Sequence, residues 1–565
     1  MKQNCGNILQ KSIKISIAQL NTTVGDIVGN ISKARLARAE AASQGADLIL
    51  FTELFISGYP PEDLVFKKHF IQACYDAMDS LRDDTNDNGP GIIIGFPRQY
   101  KDGVMNSVAI LDEGNIIGIR DKINLPNYDE FHEKRNFLSG TINDFIEFRN
   151  IKIGVIICED IWKNSDICHH LKKQGAELIF SINASPYCRD KLAKRHEIVR
   201  KQIEKINLPI VYANQVGGQD ELVFDGNSFC FNHDNKLAFQ MKHCEEQNMI
   251  TQWIYDKKSR WHCKSDLPQY KTHISLSEEL DYSVCVLGLR DYVKKNNFHK
   301  ALIGISGGID SALCATMAVD ALGKENVQTI MLPYIYTSKQ SLEDALTCTT
   351  RLGCQYDILP INDIVDNFFC LMSKIFKEKL TGIVAENIQS RIRANILMTI
   401  SNKSGSILLT TSNKSEISVG YGTIYGDMTG GFNPIKDLYK TQIYRLASWR
   451  NSNCISGGLG PSGEVIPISI IEKPPSAELH FNQTDQESLP PYHILDYVIE
   501  RMVEHEESCK IIAGEKYDLN DIHHIANLLY RSEYKRRQAA LGIKITKKSF
   551  GRDRLYPISN KFRDK

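Results

Sequence analysis

The chain has 565 residues, of which 42% are hydrophobic and 24% charged, and its 68 basic side chains balance 68 acidic ones. These proportions are those of an ordinary globular protein, and at roughly 100–200 residues per domain the length predicts two large domains or several small ones. They exclude a disordered or fibrous chain, and the net charge of zero removes the usual electrostatic argument for a nucleic-acid or membrane partner.

Neither a membrane-spanning helix nor a signal peptide is predicted. No apolar run approaches the ~20 residues that a membrane-spanning helix needs, and the polar N-terminus, Met1–Ser12, has no apolar core. The fifteen cysteines are scattered without C-x-x-C pairs, which suits a reducing compartment and small buried thiols. We therefore expect a cytoplasmic location and no zinc site.

The first half of the chain alternates short apolar runs with helical patterns. Amphipathic periodicity predicts helices at Ile31–Ala42 and Lys191–Ile206. Because several predicted strands are direct neighbours in sequence, the pattern favours a mixed α/β sandwich over strict β-α-β alternation. The predicted strands are Ile13–Leu20, Ala46–Leu54, Gly91–Pro97, Ser107–Leu111, Ile151–Cys158, Glu177–Ala184 and Pro209–Val216.

The second half has the pattern of a doubly wound parallel sheet. A polar stretch from His243 to Ser277 lacks clear periodicity and is interpreted as the end of the first domain plus a linker. A helix, Ser277–Asn296, follows, and long helical segments then separate short strands. We predict an α/β chain with domains at 1–270 and 271–565. The strands predicted in the second domain are Lys300–Ile305, Val327–Leu332, Ile358–Ile361 and Ile407–Thr411.

Three residues of the first half could cooperate in acyl transfer. Cys158 and Glu53 each end an apolar run that is predicted to form a strand, and α/β sheets place their chemistry at that edge. Lys122 lies in a polar segment between them. A carboxylate can take a thiol proton, and an ammonium group can stabilise the charge on an attacked carbonyl. A strand-end cysteine is more often a buried core residue, so spacing alone leaves both interpretations open.

The sequence around these residues resembles the nitrilase superfamily. FTEL at 51–54, Lys122 and CEDIW at 158–162 are similar to its Glu–Lys–Cys triad, over most of residues 12–250. The runs SGYPPEDL, NASPY and NQVGGQDEL, which begin at 57, 183 and 214, resemble the glutaminase domain of bacterial NAD⁺ synthetases. This resemblance implies a nitrilase-like α/β/β/α sandwich. It also implies that Glu53 is the general base, Cys158 forms a thioester and Lys122 supports both.

The same resemblance implies a glutamine pocket. Its residues, carried over by motif position, are Tyr128, Ser185 and Lys191, which would contact glutamine, and Glu133 and Glu159, which would support the triad or the substrate amine. One departure is visible after Tyr187. Where the family has His and then a Gly-Lys pair, this chain has Cys188-Arg189-Asp190-Lys191, so the lysine keeps its place and the glycine does not.

A glycine-rich loop in the second half is suited to phosphate. It consists of Gly304, Ile305, Ser306, Gly307, Gly308, Ile309, Asp310 and Ser311. Adjacent glycines let the backbone approach a phosphate, the serines supply hydroxyl donors, and the following helix N-terminus favours an anion. Asp310 repels phosphate, so we predict that it holds Mg²⁺. The loop lacks the Walker A lysine and resembles that of N-type ATP pyrophosphatases, which split ATP between its α and β phosphates.

Later motifs in the second half select one family among the ATP pyrophosphatases. ENIQSRIR at 386–393 is similar to the deamido-NAD-binding helix of NAD⁺ synthetases, and TSNKSE at 411–416 with GYGTIYGD at 420–427 to their Mg²⁺ and nicotinate segment. KPPSAEL at 473–479 resembles their phosphate-covering loop, and EYKRRQ and FGRDR near the C-terminus match their end. The resemblance spans about 280–560.

By motif position, this second resemblance implies ligand contacts. They are Asp310 and Glu416 for Mg²⁺, Thr411 for ATP, Asn387, Glu416 and Lys535 for deamido-NAD, and Lys440 and Ser476 for phosphate. The implied reaction converts deamido-NAD, ATP, L-glutamine and water into NAD⁺, AMP, diphosphate and L-glutamate, through an acyl-adenylate and channelled ammonia. ATP would be a co-substrate, Mg²⁺ the cofactor and a homo-octamer the assembly, with no nucleic-acid or membrane partner.

Two alternatives stay open at this point. One is another glutamine-dependent adenylating amide ligase, because related loops occur in several such enzymes. The other is a dinucleotide-binding or regulatory module fused to a simple amidase.

Overall fold

The computed structural model describes residues 11–163, 166–256, 258, 260–264, 277–378, 380–514 and 516–564. They fall into two compact units, one within Met1–Gln219 and Val223–Ile274, the other within Asp220–Leu222 and Ser275–Lys565. The predicted boundary between residues 270 and 271 lies outside the described residues and stays a prediction. None of the helices in the described ranges is long and apolar enough to cross a membrane.

The described residues between 12 and 264 form many short strands and six α-helices. The helices are α1 (Ile27–Ser43), α2 (Lys68–Asp84), α3 (Glu133–Asn136), α4 (Glu159–Trp162), α5 (Ile167–Gln174) and α6 (Lys191–Ile206). The strands are β1 (Ser12–Gln19), β2 (Leu48–Leu50), β3 (Gly91–Tyr100), β4 (Gly103–Asp112), β5 (Asn115–Asp121), β6 (Ile146–Phe148), β7 (Ile151–Ile157), β8 (Leu178–Asn183), β9 (Ile210–Asn214), β10 (Val216–Gln219), β11 (Leu222–Asp225), β12 (Phe229–Phe231), β13 (Leu237–Gln240), β14 (Gln247–Tyr255) and β15 (Trp261–Lys264).

Two sheets of the first unit pack face to face. One has the order β15-β14-β1-β2-β3-β4-β5 and the other β13-β12-β9-β8-β7-β6. Side chains from both, such as Ile15 and Ile93 against Val155 and Phe180, share one core. Helices α5 and α6 cover the opposite face of the second sheet, while α1 and α2 pack on the first. The predicted α/β/β/α sandwich is confirmed.

The described part of His243–Ser277 up to Lys264, interpreted from the sequence as the end of the first domain plus a linker, belongs to the first unit and contains two strands that the sequence did not predict. Strand β14 pairs antiparallel with β1 from Gln247 to Tyr255, and β15 pairs with β14. Only part of β14 is buried, so polar and apolar residues do not alternate cleanly along it. Its pairing partner lies more than two hundred residues away in sequence, and no local pattern predicts such a contact.

The second unit combines a small parallel sheet with many helices. Its strands are β16 (Ala301–Gly304), β17 (Val327–Met331), β18 (Gln355–Ile358) and β19 (Ile407–Leu409). Its helices are α7 (Ser277–Lys295), α8 (Ile309–Leu322), α9 (Lys339–Leu352), α10 (Asn362–Phe376), α11 (Gly382–Ser404), α12 (Lys414–Val419), α13 (Lys440–Ser452), α14 (Ile468–Glu472), α15 (Tyr492–Val503), α16 (Cys509–Ala513), α17 (Leu519–Arg531) and α18 (Glu533–Arg536).

The strand order of this sheet is β18-β17-β16-β19, with every pair parallel. The chain runs outward through α8 and α9 to β18, then returns through α10 and α11 to β19 on the other side of β16. Right-handed crossovers therefore put the two helix pairs on opposite faces. The predicted doubly wound sheet is confirmed, and its direction of winding reverses between β16 and β19, where such sheets bind ligands.

The predicted strand Ile358–Ile361 is displaced from the observed one. Strand β18 covers Gln355–Ile358 and ends before Pro360. Proline has no N–H to donate, and α10 begins at Asn362. The apolar residues 358–361 lie at the exit of the strand, whereas the strand itself is an edge strand that is only partly buried.

Candidate active sites

The first candidate site lies beyond the carboxyl ends of three strands of the first unit. Glu53 follows β2, Lys122 follows β5, and Cys158 follows β7 and precedes α4. Cys158 has φ +42° and ψ −96°, a left-handed backbone that residues other than glycine rarely adopt. Such strain is concentrated at functional positions, where the surrounding fold holds it in place.

A wholly buried lysine links the carboxylates of this site. Lys122 Nζ lies 2.7 Å from Glu53 Oε1 and 2.8 Å from Glu133 Oε1, and the Lys122 and Glu53 side chains are 0% exposed. Cys158 is buried beside them, and the charges of Glu53 and Lys122 both act on its thiol. The fold therefore brings the three predicted triad residues into one cluster.

The surroundings of this thiol favour its protonated form. Burial raises the pKa of Cys158 well above its usual range, the charge of Glu53 raises it further, and Lys122 opposes both. A base must therefore take the proton before the sulfur can attack. Glu53 is held for this task by three donors: Oε1 accepts from Lys122 and from Asn106 Nδ2 (2.7 Å), and Oε2 accepts from the Ala184 N–H (2.9 Å).

Glu133 is the second carboxylate on the same lysine. Its Oε1 also accepts a hydrogen bond from Tyr59 Oη at 2.8 Å. Burial raises the pKa of Glu133 to about 7, against the opposing charge of Lys122. Its Oε2 is buried without a hydrogen-bond partner among the described residues, which leaves an acceptor available within the site. This arrangement is compatible with the predicted supporting role.

Three residues predicted for the glutamine pocket lie around Cys158. Tyr128, with 47% exposure, donates its hydroxyl hydrogen bond to Glu159 Oε2 at 2.8 Å. Burial raises the pKa of Glu159, and that hydrogen bond and nearby lysines, Lys191 among them, oppose the rise. Lys191 Nζ is 3.9 Å from Glu130 Oε1 and 5.6 Å from the centre of the Phe131 ring. A cationic side chain, Lys191, and an anionic one, Glu159, are thus near enough to influence each other next to Cys158.

Ser185 is fixed by the buried groups behind it. Its N–H donates to Asn214 Oδ1 at 2.9 Å, and its carbonyl accepts from Arg195 Nη2 at 2.8 Å. Arg195 also donates to the Ser185 hydroxyl oxygen at 3.3 Å and pairs with Asp225 at 2.9 Å. Both the backbone and the hydroxyl of Ser185 therefore have partners within the fold.

The departure from the family pattern after Tyr187 has a backbone explanation. Asp190, at the position of the family's glycine, has φ +64°. Aspartate tolerates this left-handed region better than most residues because its short side chain can bond locally. The turn that starts α6 at Lys191 is therefore kept without glycine.

Three supporting residues of this site, Tyr59, Asn106 and Arg195, did not follow from the motifs. Two of them carry a signal in the sequence. Asn106 interrupts the apolar run of β4 and is fully buried. Arg195 lies on the apolar side of α6, one turn before Val199, and is 1% exposed. A polar residue at a buried position of an apolar pattern indicates a specific partner.

The second candidate site is built on the loop between β16 and α8. Ser306 and Ser311 close the loop through a hydroxyl contact of 3.1 Å, and Gly308 N–H donates to Ser306 Oγ at 3.2 Å. Gly307 has φ +76°, and a Cβ there would lie 2.3 Å from the Ser341 carbonyl oxygen. The glycine is therefore required twice, by conformation and by the close approach of α9.

A lysine between two carboxylates also lies at this site. Lys440 Nζ contacts Asp310 Oδ2 and lies 3.2 Å from Glu416 Oε1. Asn413 Nδ2 donates to Asp310 Oδ1 at 2.9 Å, and Asn413 also caps α12, with Glu416 as its partner in the capping box. Burial raises the pKa of Glu416 to about 8, which Lys440 opposes and the Asp310 charge reinforces. The two predicted metal ligands therefore converge on one cation.

These residues line a cleft of about 940 Å³ within the second unit. All of the residues predicted for this site contribute to its wall except Gly307: Gly304, Ile305, Ser306, Gly308, Ile309, Asp310, Ser311, Asn387, Thr411, Glu416, Lys440, Ser476 and Lys535. A cleft of this size, with a few converging polar groups, has the dimensions of a nucleotide site.

Two of the predicted dinucleotide contacts are engaged with the protein itself. Lys535 Nζ donates to the carbonyls of Gly420 and Gly422, each at 2.8 Å. Asn387 Oδ1 accepts from Thr423 Oγ1 at 2.7 Å. Both side chains thus hold the segment after α12, which forms part of the cleft wall.

Arg393 is a cleft residue to which the motifs assigned no role. Burial lowers its pKa to about 10, against the opposing charges of Glu478 and Asp427. Its Nε donates to the Leu332 carbonyl at 2.9 Å. Its guanidinium forms no ion pair with the described residues, so it can pair with an incoming anion. The helical spacing of Asn387, Ser390 and Arg393 could have indicated one shared face.

A metal ion finds no preformed cage here. The described residues contain no group of three or more His, Cys, Asp or Glu side chains that could hold one. Asp310 and Glu416 supply carboxylate oxygens, the ligands that Mg²⁺ prefers, and Mg²⁺ commonly takes one or two carboxylates and fills its other positions with water and substrate phosphate. The donor set therefore fits Mg²⁺ that arrives with a nucleotide.

Comparison with known proteins agrees over the whole length. The NAD synthase family model matches residues 282–539, and the carbon-nitrogen hydrolase model matches residues 14–254. A glutamine-dependent NAD(+) synthetase of Rhodobacter capsulatus is 42% identical over 552 residues, which cover 98% of this chain and 99% of that protein. Another from Thermotoga maritima is 38% identical over 98% of this chain and 100% of that protein.

A solved structure gives the same result. The glutamine-dependent NAD⁺ synthetase of Acinetobacter baumannii in complex with ADP is 37% identical, covers 97% of this chain and 99% of that chain, and aligns with a TM-score of 0.76. Identity at this level over both domains, together with the two lysine-centred sites, leads to one conclusion: the chain belongs to the family of glutamine-dependent NAD(+) synthetases, ligases that use glutamine as the amido donor.

Proposed function

We propose that this protein converts deamido-NAD, ATP, L-glutamine and water into NAD⁺, AMP, diphosphate and L-glutamate. One observation carries the proposal: a Glu53–Lys122–Cys158 cluster and a Ser306–Ser311 phosphate loop occur on one chain that matches relatives of that description from end to end. The first site suits amide hydrolysis, and the second suits phosphate chemistry on a nucleotide.

In the glutaminase half, Glu53 takes the Cys158 proton as the sulfur attacks the carboxamide carbon. The carbonyl electrons move to oxygen, where the Lys122 ammonium stabilises the charge. Collapse breaks the C–N bond, and Glu53 returns the proton to the leaving nitrogen, so ammonia and a thioester result. Water, deprotonated by Glu53, then attacks the thioester and releases glutamate and the thiol. Tyr59 and Glu133 keep Lys122 in place.

In the synthetase half, the nicotinate carboxylate attacks the α-phosphorus of ATP and diphosphate leaves. Backbone N–H groups of the Gly304–Ser311 loop and the N-terminus of α8 are suited to hold the diphosphate, and Lys440 is suited to neutralise it. Mg²⁺, bound by Asp310 and Glu416, would supply further charge neutralisation at the phosphates. Ammonia then attacks the acyl carbon, the bond to AMP breaks, and NAD⁺ forms.

Ammonia is proposed to reach the adenylate without mixing with solvent. In neutral water it would largely become ammonium, which has no lone pair for the attack, and a waiting adenylate is open to hydrolysis. The test supplies ¹⁵N-amide glutamine with excess unlabelled ammonium chloride. Nearly complete ¹⁵N in the NAD⁺ amide supports channelling, and dilution to the bulk ratio contradicts it.

The central test measures all products at once. Purified protein is incubated with deamido-NAD, ATP, glutamine and Mg²⁺, and we expect NAD⁺, AMP, diphosphate and glutamate in equal amounts. Omission of Mg²⁺ with added EDTA should stop NAD⁺ synthesis. Release of ADP and phosphate, or amidation of a different carboxylate acceptor in place of deamido-NAD, would contradict the proposal and favour another amide ligase.

We also propose that the protein self-associates, as a homo-octamer, in the cytoplasm. The self-association is supported by an exposed apolar stripe on α10 at helical spacing, formed by Ile364, Phe368, Leu371 and Ile375 with exposures of 39–67%, and the number of eight rests on the family resemblance. Contiguous apolar surface of this kind usually marks an interface. Light scattering should give eight chains per particle, and the double variant Leu371→Lys with Ile375→Lys should give a smaller one. A monomeric wild-type protein would contradict this assembly.

A further inference from the structure

The segment Lys473–Leu489, here named the cover segment, forms one wall of the nucleotide cleft. It connects α14 to α15, and each residue from Lys473 to His480 lines the cleft. It includes the Pro474-Pro475 pair, whose fixed φ angles lower the entropy cost of holding one conformation. This segment is therefore part of the boundary of the cleft.

Glu478 joins the cover segment to the beginning of α9. Its carboxylate accepts hydrogen bonds from Ser338 N–H (3.1 Å), Ser338 Oγ (2.8 Å) and Ser341 Oγ (2.7 Å). Lys473 Nζ lies 3.3 Å away and also contacts Ser341 Oγ. Ser338 is the N-cap of α9, so the carboxylate lies at the positive end of a fourteen-residue helix.

The backbone is bent to make these contacts. Glu478 has φ +49°, a left-handed conformation that is unfavourable for a glutamate. Its N–H donates to Ser476 Oγ at 3.1 Å, which supports the bend. Burial alone would raise the pKa of Glu478, but the hydrogen bonds from Ser341 and Ser338 outweigh it, and the pKa lies below its usual range. The first turn of α9 therefore stabilises the charged carboxylate of Glu478.

The first turn of α9 also touches the phosphate loop. The Ser341 carbonyl oxygen lies where a Cβ of Gly307 would be, at 2.3 Å. The cover segment and the phosphate loop thus rest on the same helical turn, one through Glu478 and the other through Gly307. A displacement of that turn would therefore move both the cover segment and the phosphate loop.

We propose that Glu478 is a positioning residue that latches the cover segment onto the N-terminus of α9 and so closes the cleft over the adenylate. The latch rests on the proposed function, since it deepens the role of the synthetase site. Closure excludes water, and an acyl-adenylate kept from water is consumed by ammonia alone. Loss of the latch therefore uncouples AMP release from NAD⁺ formation.

The test compares Glu478→Gln with Glu472→Gln, an exposed glutamate six residues earlier in the chain. Hydrogen exchange of peptides from 473–489 is measured with deamido-NAD and α,β-methylene-ATP bound, conditions that permit no turnover. The loss of a charged hydrogen-bond acceptor should raise exchange of these amides about tenfold in Glu478→Gln. Glu472→Gln should match the wild type.

Turnover with saturating ammonium chloride gives the second readout. Glu478→Gln should release more than one AMP per NAD⁺ and show a KM for ATP raised about tenfold, whereas Glu478→Asp should recover part of the coupling. Unchanged exchange together with an AMP to NAD⁺ ratio of one would overturn the latch. If Glu478→Gln does not fold, Ser341→Ala removes one donor from the other side and should shift both readouts in the same direction.

The exchange measurement keeps this inference separate from the proposed function. If the wild-type protein made no NAD⁺, the proposed function would fail, yet exchange with the ATP analogue bound would still report whether Glu478 holds the cover segment. A wild-type protein that makes NAD⁺ normally, with Glu478→Gln indistinguishable from it, would contradict the latch alone.

Discussion

Lys122 of the first unit and Lys440 of the second each lie between two carboxylates, but the two centres differ in exposure. Around Lys122 the side chains of Glu53 and Glu133 are 0% and 5% exposed. Around Lys440 the side chains of Asp310 and Glu416 are each 17% exposed and line the 940 Å³ cleft. The same trio of charges is closed off in one unit and open in the other.

This difference follows from what each centre must receive. Glutamine brings a neutral amide to the first, so its reacting groups can be fully desolvated, which strengthens each interaction inside. The second must accept a polyanion, and its carboxylates would repel phosphate unless a cation intervenes. Lys440 balances the negative charges of Asp310 and Glu416. A closed centre is set by the fold, whereas an open one is completed by its ligands.

The largest effect is expected from breaking the open centre. Asp310→Asn or Glu416→Gln should lower NAD⁺ synthesis from both glutamine and ammonium by at least about 10³-fold, because charge neutralisation at the phosphates is worth several kcal/mol. Steady-state assays with each nitrogen source measure this. Glutamate release by the same variants is the control for folding. Ammonia-dependent turnover near the wild-type rate would remove these residues from the site.

Loss of the nucleophile in the closed centre should affect synthesis from glutamine and spare synthesis from ammonium. Cys158→Ala should lower glutamine-supported synthesis by at least about 10³-fold, since the nucleophile is lost, and should leave ammonium-supported synthesis within about twofold of the wild type. Cys188→Ala is the matched control, as a second thiol in the motif next to the predicted pocket, and should retain both activities. Loss of both activities in folded Cys158→Ala protein would contradict the division of labour.

A smaller effect is expected from Asn106, which contacts the triad residue Glu53. Asn106→Ala removes the 2.7 Å hydrogen bond to Glu53 Oε1 and should lower the kcat/KM of glutamine hydrolysis about 10- to 100-fold, the range for a charged hydrogen bond. Ammonium-supported synthesis should be unaffected. Asn115→Ala, on the exposed start of β5, is the control. Equal rates for the two variants would show that Lys122 and Ala184 hold Glu53 without Asn106.

The smallest effect concerns acid stability of the first unit. Burial, with the charges of Arg195 and Arg200, lowers the pKa of His196 to about 4, against about 6.5 in an unfolded chain. Between about pH 6.5 and pH 4, His196 is therefore protonated in the unfolded chain and neutral in the folded protein. The free energy of opening around α6 should fall as the pH drops from about 6.5 to about 4, by at most ~3 kcal/mol.

Hydrogen exchange of α6 amides in the full-length protein at pH 7 and pH 5, corrected for intrinsic rates, measures this fall. His196→Phe should flatten the pH dependence, because His196 already packs edge-on against Phe229 at 4.5 Å between ring centres. His69→Phe, at an exposed position, should behave as the wild type. Identical slopes for wild type and His196→Phe would assign the acid sensitivity to other groups.

Elements with strong local patterns were predictable from the sequence. Lys191–Ile206 forms the predicted helix residue for residue, and β7 and β16 lie within the predicted strands. The phosphate loop was predictable for the same reason, since Ser306–Ser311 is a contiguous run whose chemistry follows from adjacent residues. In these cases the determining interactions lie within one or two turns of the chain.

The strands that the sequence did not predict, or predicted at the wrong residues, depend on distant partners. β14 is a strand because it pairs with β1 across the sheet, although its own residues show no clear alternation. The predicted Ile358–Ile361 strand is displaced because Pro360 ends the pairing that begins at Gln355. Strand identity is set by neighbours in space, and a half-buried strand carries little of that information in its own sequence.

The sequence by itself indicated the two chemistries through residue types in short motifs: the thiol of CEDIW, recognised by its resemblance to a known family, and the serines and glycines of one loop. Only the tertiary structure decided how the charges are shared. Lys122 lies between Glu53 and Glu133, Lys440 between Asp310 and Glu416, and Glu478 against Ser338. These pairs join residues up to about 140 positions apart, and burial sets their strength, which no linear pattern contains.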